Sequence, residues 1–288
     1  MRSLKVSAKE NTDKGTEHKT EHRPRDRGCR LGTGQRIELP VQRIDNRNMA
    51  NGMKLILFDI DGTLIDTGGC GLRAFSQALQ EFFGMARALQ GITLDGKTDP
   101  LILREALKRQ GITKPPSDSL LEKFVSRYVD LLKQELVNGS SGYEVLPGVR
   151  ELLTALSRRP DIELGLASGN VEEGAWAKLE PGKLGRFFIC GGFGSDSENR
   201  SELIKLAVER AMREKNTSFD QVFVVGDTPN DITHGRKAGA LTIGVSTGGY
   251  SARQLADYQP DLLLDSFRPI EPFLQYVNSM SPGSSTTP

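Results

Sequence analysis

Cysteine is scarce in this chain, three in 288 residues. Cys29, Cys70 and Cys190 are too few, too scattered and odd in number for a disulfide framework or a metal knuckle. That composition fits a reducing compartment, so a cytoplasmic protein is expected. No apolar run approaches the ~18–20 residues of a membrane span, and no membrane partner is expected. No apolar stretch follows the basic start, which argues against a secretory signal, and the acids there argue against a transit peptide. No internal repeat is visible. A strong net charge is also missing, at +1 overall, but the balance is uneven. Residues 1–52 hold 12 Lys+Arg against 7 Asp+Glu, and the remainder 26 against 30. The larger part is mildly acidic, so nucleic acid is not an expected partner.

Residues 1–52 are polar, lack periodicity and read as a disordered extension. Met49 and Met53 stand just before the first apolar run, and the working protein is expected to begin at one of them. The tail 279–288 is rich in Ser, Thr and Pro and reads as loose.

The chemistry gathers around Lys54-Leu-Ile-Leu-Phe-Asp59-Ile-Asp61-Gly62-Thr-Leu. Leu55–Phe58 reads as a buried parallel strand. Alternation along a strand puts Asp59 and Asp61 on one side, beyond its carboxyl end, where open α/β sheets bind ligands. Two acids crowded there call for a compensating cation, and oxygen ligands favour Mg²⁺.

Downstream, helical spacing of Leu72, Phe75, Leu79 and Phe82–Phe83 ends at Gly84. Further helices are expected over 99–110, with Asp99 as N-cap, and over 117–136. From Leu146 strands and helices alternate. Helices are expected at 147–157, 171–179, 200–215 and 230–238, and a last one near 269–277. Strands are expected at 162–167, 187–190, 221–225, 241–245 and 261–264. That rhythm predicts an α/β fold with a doubly wound parallel sheet.

Asp59-x-Asp61-Gly-Thr-Leu resembles the first motif of the haloacid dehalogenase (HAD) superfamily in its phosphatase form. Gly226-Asp227-Thr-Pro-Asn-Asp231 resembles that superfamily's acidic fourth motif, and Ser168-Gly169-Asn170 after a strand resembles its second. The resemblance covers roughly residues 53–278. It implies a Rossmann-like core at 53–67 and 145–278, and an inserted helical cap at 68–144. Within the superfamily the chain looks most like phosphoglycolate phosphatases.

The resemblance implies roles for particular residues. Asp59 would be the nucleophile, forming an aspartyl-phosphate. Asp61 would be the general acid/base, its main-chain carbonyl also meeting Mg²⁺. Gly62, Ser168, Gly169 and Asn170 would hold the phosphoryl group. Asp227 would ligate the metal and Asp231 would be a second or outer ligand. The family's third motif is a Lys, which this chain lacks at the usual place. Arg200, opening a helix, is the best positional match, with Lys205 deeper in that helix and Lys183 earlier, and Arg can pair a carboxylate bidentately and keeps its charge. Lys97, in the cap loop Gly96-Lys97-Thr98-Asp99, would touch the substrate. A Mg²⁺-dependent phosphatase of a small phosphate monoester is expected, as monomer or homodimer. A phosphoglucomutase-like transferase is the alternative.

Two other motif matches are set aside. Gly91–Thr98 fits G-x-x-x-x-G-K-[ST] letter for letter. It follows a helical rather than a strand pattern, and carries Leu94 and Asp95 where a phosphate would lie. Gly244-Val-Ser246-Thr-Gly248 fits a serine-hydrolase elbow. The three histidines, His18, His22 and His234, all precede it, so the triad order cannot be met.

Overall fold

Strand β1 (Lys54–Phe58) is buried along its whole length. A computed structural model describes residues 52–138 and 142–280. The expected disordered extension, apart from Gly52, lies outside them, as does the expected loose tail 279–288 except for Ser279, which ends the last helix, and Met280. The continuous apolar run of β1 is explained by its position. It pairs in parallel with β4 (Ile162–Ser168) on one side and β6 (Gln221–Gly226) on the other. With β5 (Gly191–Phe193), β7 (Leu241–Val245) and β8 (Leu262–Leu264), the sheet runs β5-β4-β1-β6-β7-β8, and every pairing is parallel. The chain adds strands outward from β1 to β5, then crosses back to β6. The order reverses beside β1, which opens a crevice at the carboxyl ends of the central strands.

Each face of the sheet carries its own apolar layer, as a buried parallel sheet requires. On one face Ile56 and Phe58 pack with α4 (Val149–Leu156), α5 (Glu172–Leu179) and α9 (Glu271–Ser279). Phe58 lies within 6.2–6.3 Å, ring to ring, of Phe188, Phe267 and Phe273. On the other face Leu55 and Leu57 meet Leu203, Ile204, Ala207 and Ala211 of α6 (Arg200–Lys215). α7 (Pro229–Lys237) follows β6.

The segment after β1 builds a separate apolar cluster from α1 (Cys70–Phe83), α2 (Asp99–Arg109) and α3 (Asp118–Val137). Phe75 meets Phe124 at 5.3 Å and Tyr128 at 4.9 Å, both edge to face. α1 stops at Gly84, whose left-handed φ of 70° allows the turn out of the helix. The strand that leaves the sheet region, β2 (Ile65–Asp66), and the one that returns, β3 (Glu144–Val145), pair antiparallel. This two-stranded ribbon ties the helical cap to the sheet and was not foreseen.

Three local expectations are corrected and one helix is added. Thr98, not Asp99, caps α2: its hydroxyl accepts from Leu101 N, which frees the Asp99 carboxylate for Val171 N at 2.9 Å. Residues 187–190 are not a strand, because a 3₁₀ turn occupies Gly185–Phe187 and pairing begins at Gly191. The last helix starts at Glu271 rather than near Pro269. A short helix, α8 (Ala252–Ala256), closed by a Ser251–Gln254 capping box, was not expected.

β5 escaped detection because its first two residues are glycine, a poor strand former. The reason for glycine is packing: a Cβ on Gly192 would overlap the Leu203 carbonyl of α6. Gly192→Ala should therefore lower stability by about 2 kcal/mol, the usual range for forced overpacking. Urea denaturation checks this, and an unchanged midpoint would show that α6 shifts freely.

Candidate active site

The crevice at the strand ends is built by tight turns. After Asp59, whose N–H still bonds Val225 O at 2.9 Å, the chain doubles back. Ile60 O accepts from Thr63, Leu64 and Ile65 N. Gly62 makes this possible: its φ is +75°, and a Cβ there would overlap the Asp227 carboxylate. Thr63 Oγ1 donates to Asp227 Oδ1 at 2.8 Å, and Thr247 Oγ1 to Gly62 O at 2.6 Å. The turn after β7 presses on the same acid, since a Cβ on Gly248 would also overlap Asp227.

The structure brings Asp59, at the end of β1, together with Asp227 and Asp231 from the β6–α7 turn and the start of α7. All three are buried, and one oxygen of each lies within 4.8 Å of the others. Asp231 belongs to a capping box at the start of α7, its Oδ2 accepting from Thr228 N (3.0 Å) and Thr228 Oγ1 (2.6 Å). Arg200 reaches in from α6. Its Nη2 pairs closely with Asp231 Oδ1 and lies 3.4 Å from Asp59 Oδ2. Nη1 donates to Gly96 O of the cap loop at 3.5 Å, and Nε finds no partner among the described residues.

One guanidinium thus faces three buried acids. Burial pushes the Asp59 carboxyl up from 3.8 to about 6; Arg200 opposes this, while Asp231 and Asp61 add to it. Asp227 is raised well above its usual value, by burial and then by Asp231 and Asp59. Such a set is short of positive charge. Its all-oxygen donors suit a hard divalent cation. Mg²⁺ fits the residues present.

Asp61 leaves the turn with different company. Its carboxylate is half-exposed and accepts from Lys178 Nζ at 2.7 and 2.9 Å and from Asn170 Nδ2 at 2.8 Å. Its side chain is outside the acidic cluster, so any role at a metal would fall to its main chain. Ser168, fully buried, accepts from Asn170 Nδ2 at 2.8 Å, and Gly169 O accepts from Asp99 N at 2.8 Å. Gly169 must be glycine because a Cβ would overlap Lys97 O of the cap loop. Asn230 Nδ2 holds the same loop through Gly96 O at 2.8 Å. Lys97 itself pairs with Glu105 at 2.6 Å at the rim.

These groups surround one cavity of about 440 Å³. Asp59, Asp61, Ser168, Arg200 and Asp227 line its floor, and Leu72, Phe75, Leu94 and Ile102 its cap side. Lys178 was missed. Nothing local marks a lysine ten residues past Ser168, though its spacing from Ala175 and Leu179 does put it on the buried face of α5. Burial opposes its charge, but Asp61 and Asp99 outweigh that and raise its pKa. Among the described residues Ser246 bonds no histidine: its hydroxyl donates to Leu264 O, and His234 pairs with Ser201.

A cap inserted after the first strand, over a parallel sheet ending in this acidic cluster, defines a class of hydrolase. The family model for haloacid dehalogenase-like hydrolases matches residues 56–245. The chain belongs to that family. A phosphoglycolate phosphatase of Agrobacterium fabrum is 29% identical over 231 residues, 76% of this chain and 91% of that protein. One from Pseudomonas savastanoi pv. phaseolicola is 28% identical over 226 residues, 76% of this chain and 79% of that protein. Among solved structures, CbbY from Rhodobacter sphaeroides in complex with phosphate superposes with a TM-score of 0.55 at 21% identity, over 76% of this chain and 96% of that one. A hydrolase from Pseudomonas syringae gives 0.53 at 19%, over 80% and 100%. These structural likenesses, below 25% identity, speak for the fold alone. Among the described residues, no helix is long and apolar enough to cross a membrane.

The charge shortage has a stability consequence. The folded chain holds the Asp59 proton up to about pH 6 and the unfolded chain only to about 3.8. This group's contribution therefore falls as pH rises through that window and stays low above it. In chelator at pH 7, Asp59→Asn should raise the melting temperature by about 2–5 °C and shrink the gain seen on adding Mg²⁺. A lower melting temperature for the variant in chelator would contradict this.

Proposed function

We propose that the protein is a Mg²⁺-dependent phosphatase of small phosphorylated metabolites, working through an aspartyl-phosphate on Asp59. The observation that supports it is the meeting of Asp59, Asp227 and Asp231 with Arg200 on the floor of a capped cavity. Relatives named phosphoglycolate phosphatase make phosphoglycolate the first substrate to test.

Asp59 Oδ attacks phosphorus and the bond to the leaving oxygen breaks. Asp61 gives that oxygen its proton, so a neutral alcohol departs. Asp61 then takes a proton from water, whose oxygen attacks the phosphoryl group. Inorganic phosphate is released and the Asp59 carboxylate regenerated. Arg200 offsets charge on Asp59, and Ser168 with the turn at Gly169–Asn170 contacts the phosphoryl oxygens. Asp59, Asp227 and the Asp61 main chain would hold Mg²⁺, with Asp231 behind them, and the ion would neutralise the approach of two anions. Arg200 and the cap loop, joined at Gly96, keep bulk water from the reacting atoms.

Phosphate release from phosphoglycolate and a panel of metabolite phosphates, with Mg²⁺ and with chelator, tests the reading. Turnover should require Mg²⁺ and be abolished in Asp59→Asn. Arg200→Ala should lose ~10²-fold or more, as when a fixed electrostatic donor is removed. Turnover unaffected by either change would refute the assignment. Interconversion of sugar phosphates stimulated by a sugar bisphosphate, in place of phosphate release, would favour the phosphoglucomutase-like alternative.

A further inference from the structure

Lys178 is a buried cation that the reaction described above leaves unused. Only 5% of it is exposed, on a helix face otherwise made of Gly174, Ala175 and Leu179. An ammonium in such a place is costly unless its donors are paired. All its partners lie toward the active site: both oxygens of Asp61, at 2.9 and 2.7 Å, and Asn170 Oδ1 at 2.6 Å. Asn170 completes the cradle, its Nδ2 donating to Asp61 Oδ2 and to Ser168 Oγ, both at 2.8 Å. The cap closes over this point. A Cβ on Gly71 would stand 3.3 Å from Nζ and 4.0 Å from the Tyr128 hydroxyl, and one on Gly174 would stand 3.8 Å from the Tyr128 ring. The two cations of the cavity floor are thus divided, Arg200 to Asp59 and Asp231, and Lys178 to Asp61.

We propose that Lys178 is a positioning residue for proton transfer to the leaving group: it fixes the Asp61 carboxyl in place and meets the negative charge that develops there as the proton departs. The inference rests on the phosphatase reading, with Asp61 as the proton donor. Two features of the geometry support it. The ammonium contacts both oxygens of Asp61, so it limits rotation of that carboxyl. It is also fixed before the reaction by Asn170 and by burial, so little reorganisation is needed when charge appears. Lys178 needs no contact with the phosphoryl group to act in this way.

A structural ion pair and a positioning residue differ in their dependence on the leaving group. p-Nitrophenolate leaves as a stable anion and needs no proton. An alkyl phosphate such as phosphoglycolate must have its alkoxide protonated. The quantity to compare is kcat/KM, which reports the steps through the first phosphoryl transfer. In K178M, kcat/KM for the alkyl ester should fall ~10²-fold, and that for p-nitrophenyl phosphate by less than about threefold. The loss on the alkyl ester lies at the lower end of the ~10²–10⁴ that a proton-transfer step contributes. K178Q, which keeps a donor but not the charge, should show a smaller loss of the same selectivity. It carries the comparison if K178M does not fold. Adding K178M to D61N should cost little more than D61N alone. Equal losses on both esters, or no loss on either, would overturn the role of Lys178 while leaving the phosphatase reading intact. Wild-type protein that hydrolyses neither ester would overturn both.

Discussion

Three buried carboxylates with one arginine between them is the arrangement to which the rest of this molecule answers. Like charges in a dry site repel strongly unless a proton or a cation intervenes. Burial and mutual repulsion raise the Asp59 and Asp227 carboxyls, the direction expected where like charges crowd a dry site. The same conflict suits the cluster to the divalent ion proposed for it. An unstable constellation of this kind persists only where its surroundings over-determine it. Here the central strands do so by delivering Asp59 and Asp227 from neighbouring positions of a rigid sheet.

Glycine supplies the second constraint. Gly62 and Gly248 let two turns close directly on Asp227, and Gly169 lets the cap loop lie against the end of β4. Side chains at these points would push the acids apart or hold the cap open. The cap loop is tied to both partners of the chemistry, to Arg200 and Asn230 through Gly96, and to the turn after β4 through Asp99. The loop that borders the cavity thus also contacts the cation beside Asp59.

Much of this was legible in the chain. Apolar runs mark the buried strands β1, β4, β6 and β7, and β1 and β6 run directly into acids, Asp59 and Asp227. What stayed hidden had no local signature. β5 begins with two glycines chosen for helix packing, so strand propensity does not show it. The β2–β3 ribbon is two residues per strand and exists because the two connections of the cap run side by side. The cap of α2 fell to Thr98 because Asp99 had a partner distant in sequence. Lys178 depends on an ion pair to Asp61, 117 residues away, which no spacing rule reaches. Asp61 differs from Asp59 for a related reason: alternation placed both on one side, but only the three-dimensional neighbours separate a buried acid beside Arg200 from a half-exposed one beside Lys178.

The account's central claim is that these acids share one divalent cation. Diffraction at the manganese absorption edge, from crystals of the protein grown with Mn²⁺ in place of Mg²⁺, tests it most directly. The account predicts a single strong anomalous peak bonded to carboxylate oxygens of Asp59 and Asp227. A fully occupied peak elsewhere, or none in this cavity at saturating Mn²⁺, would contradict it.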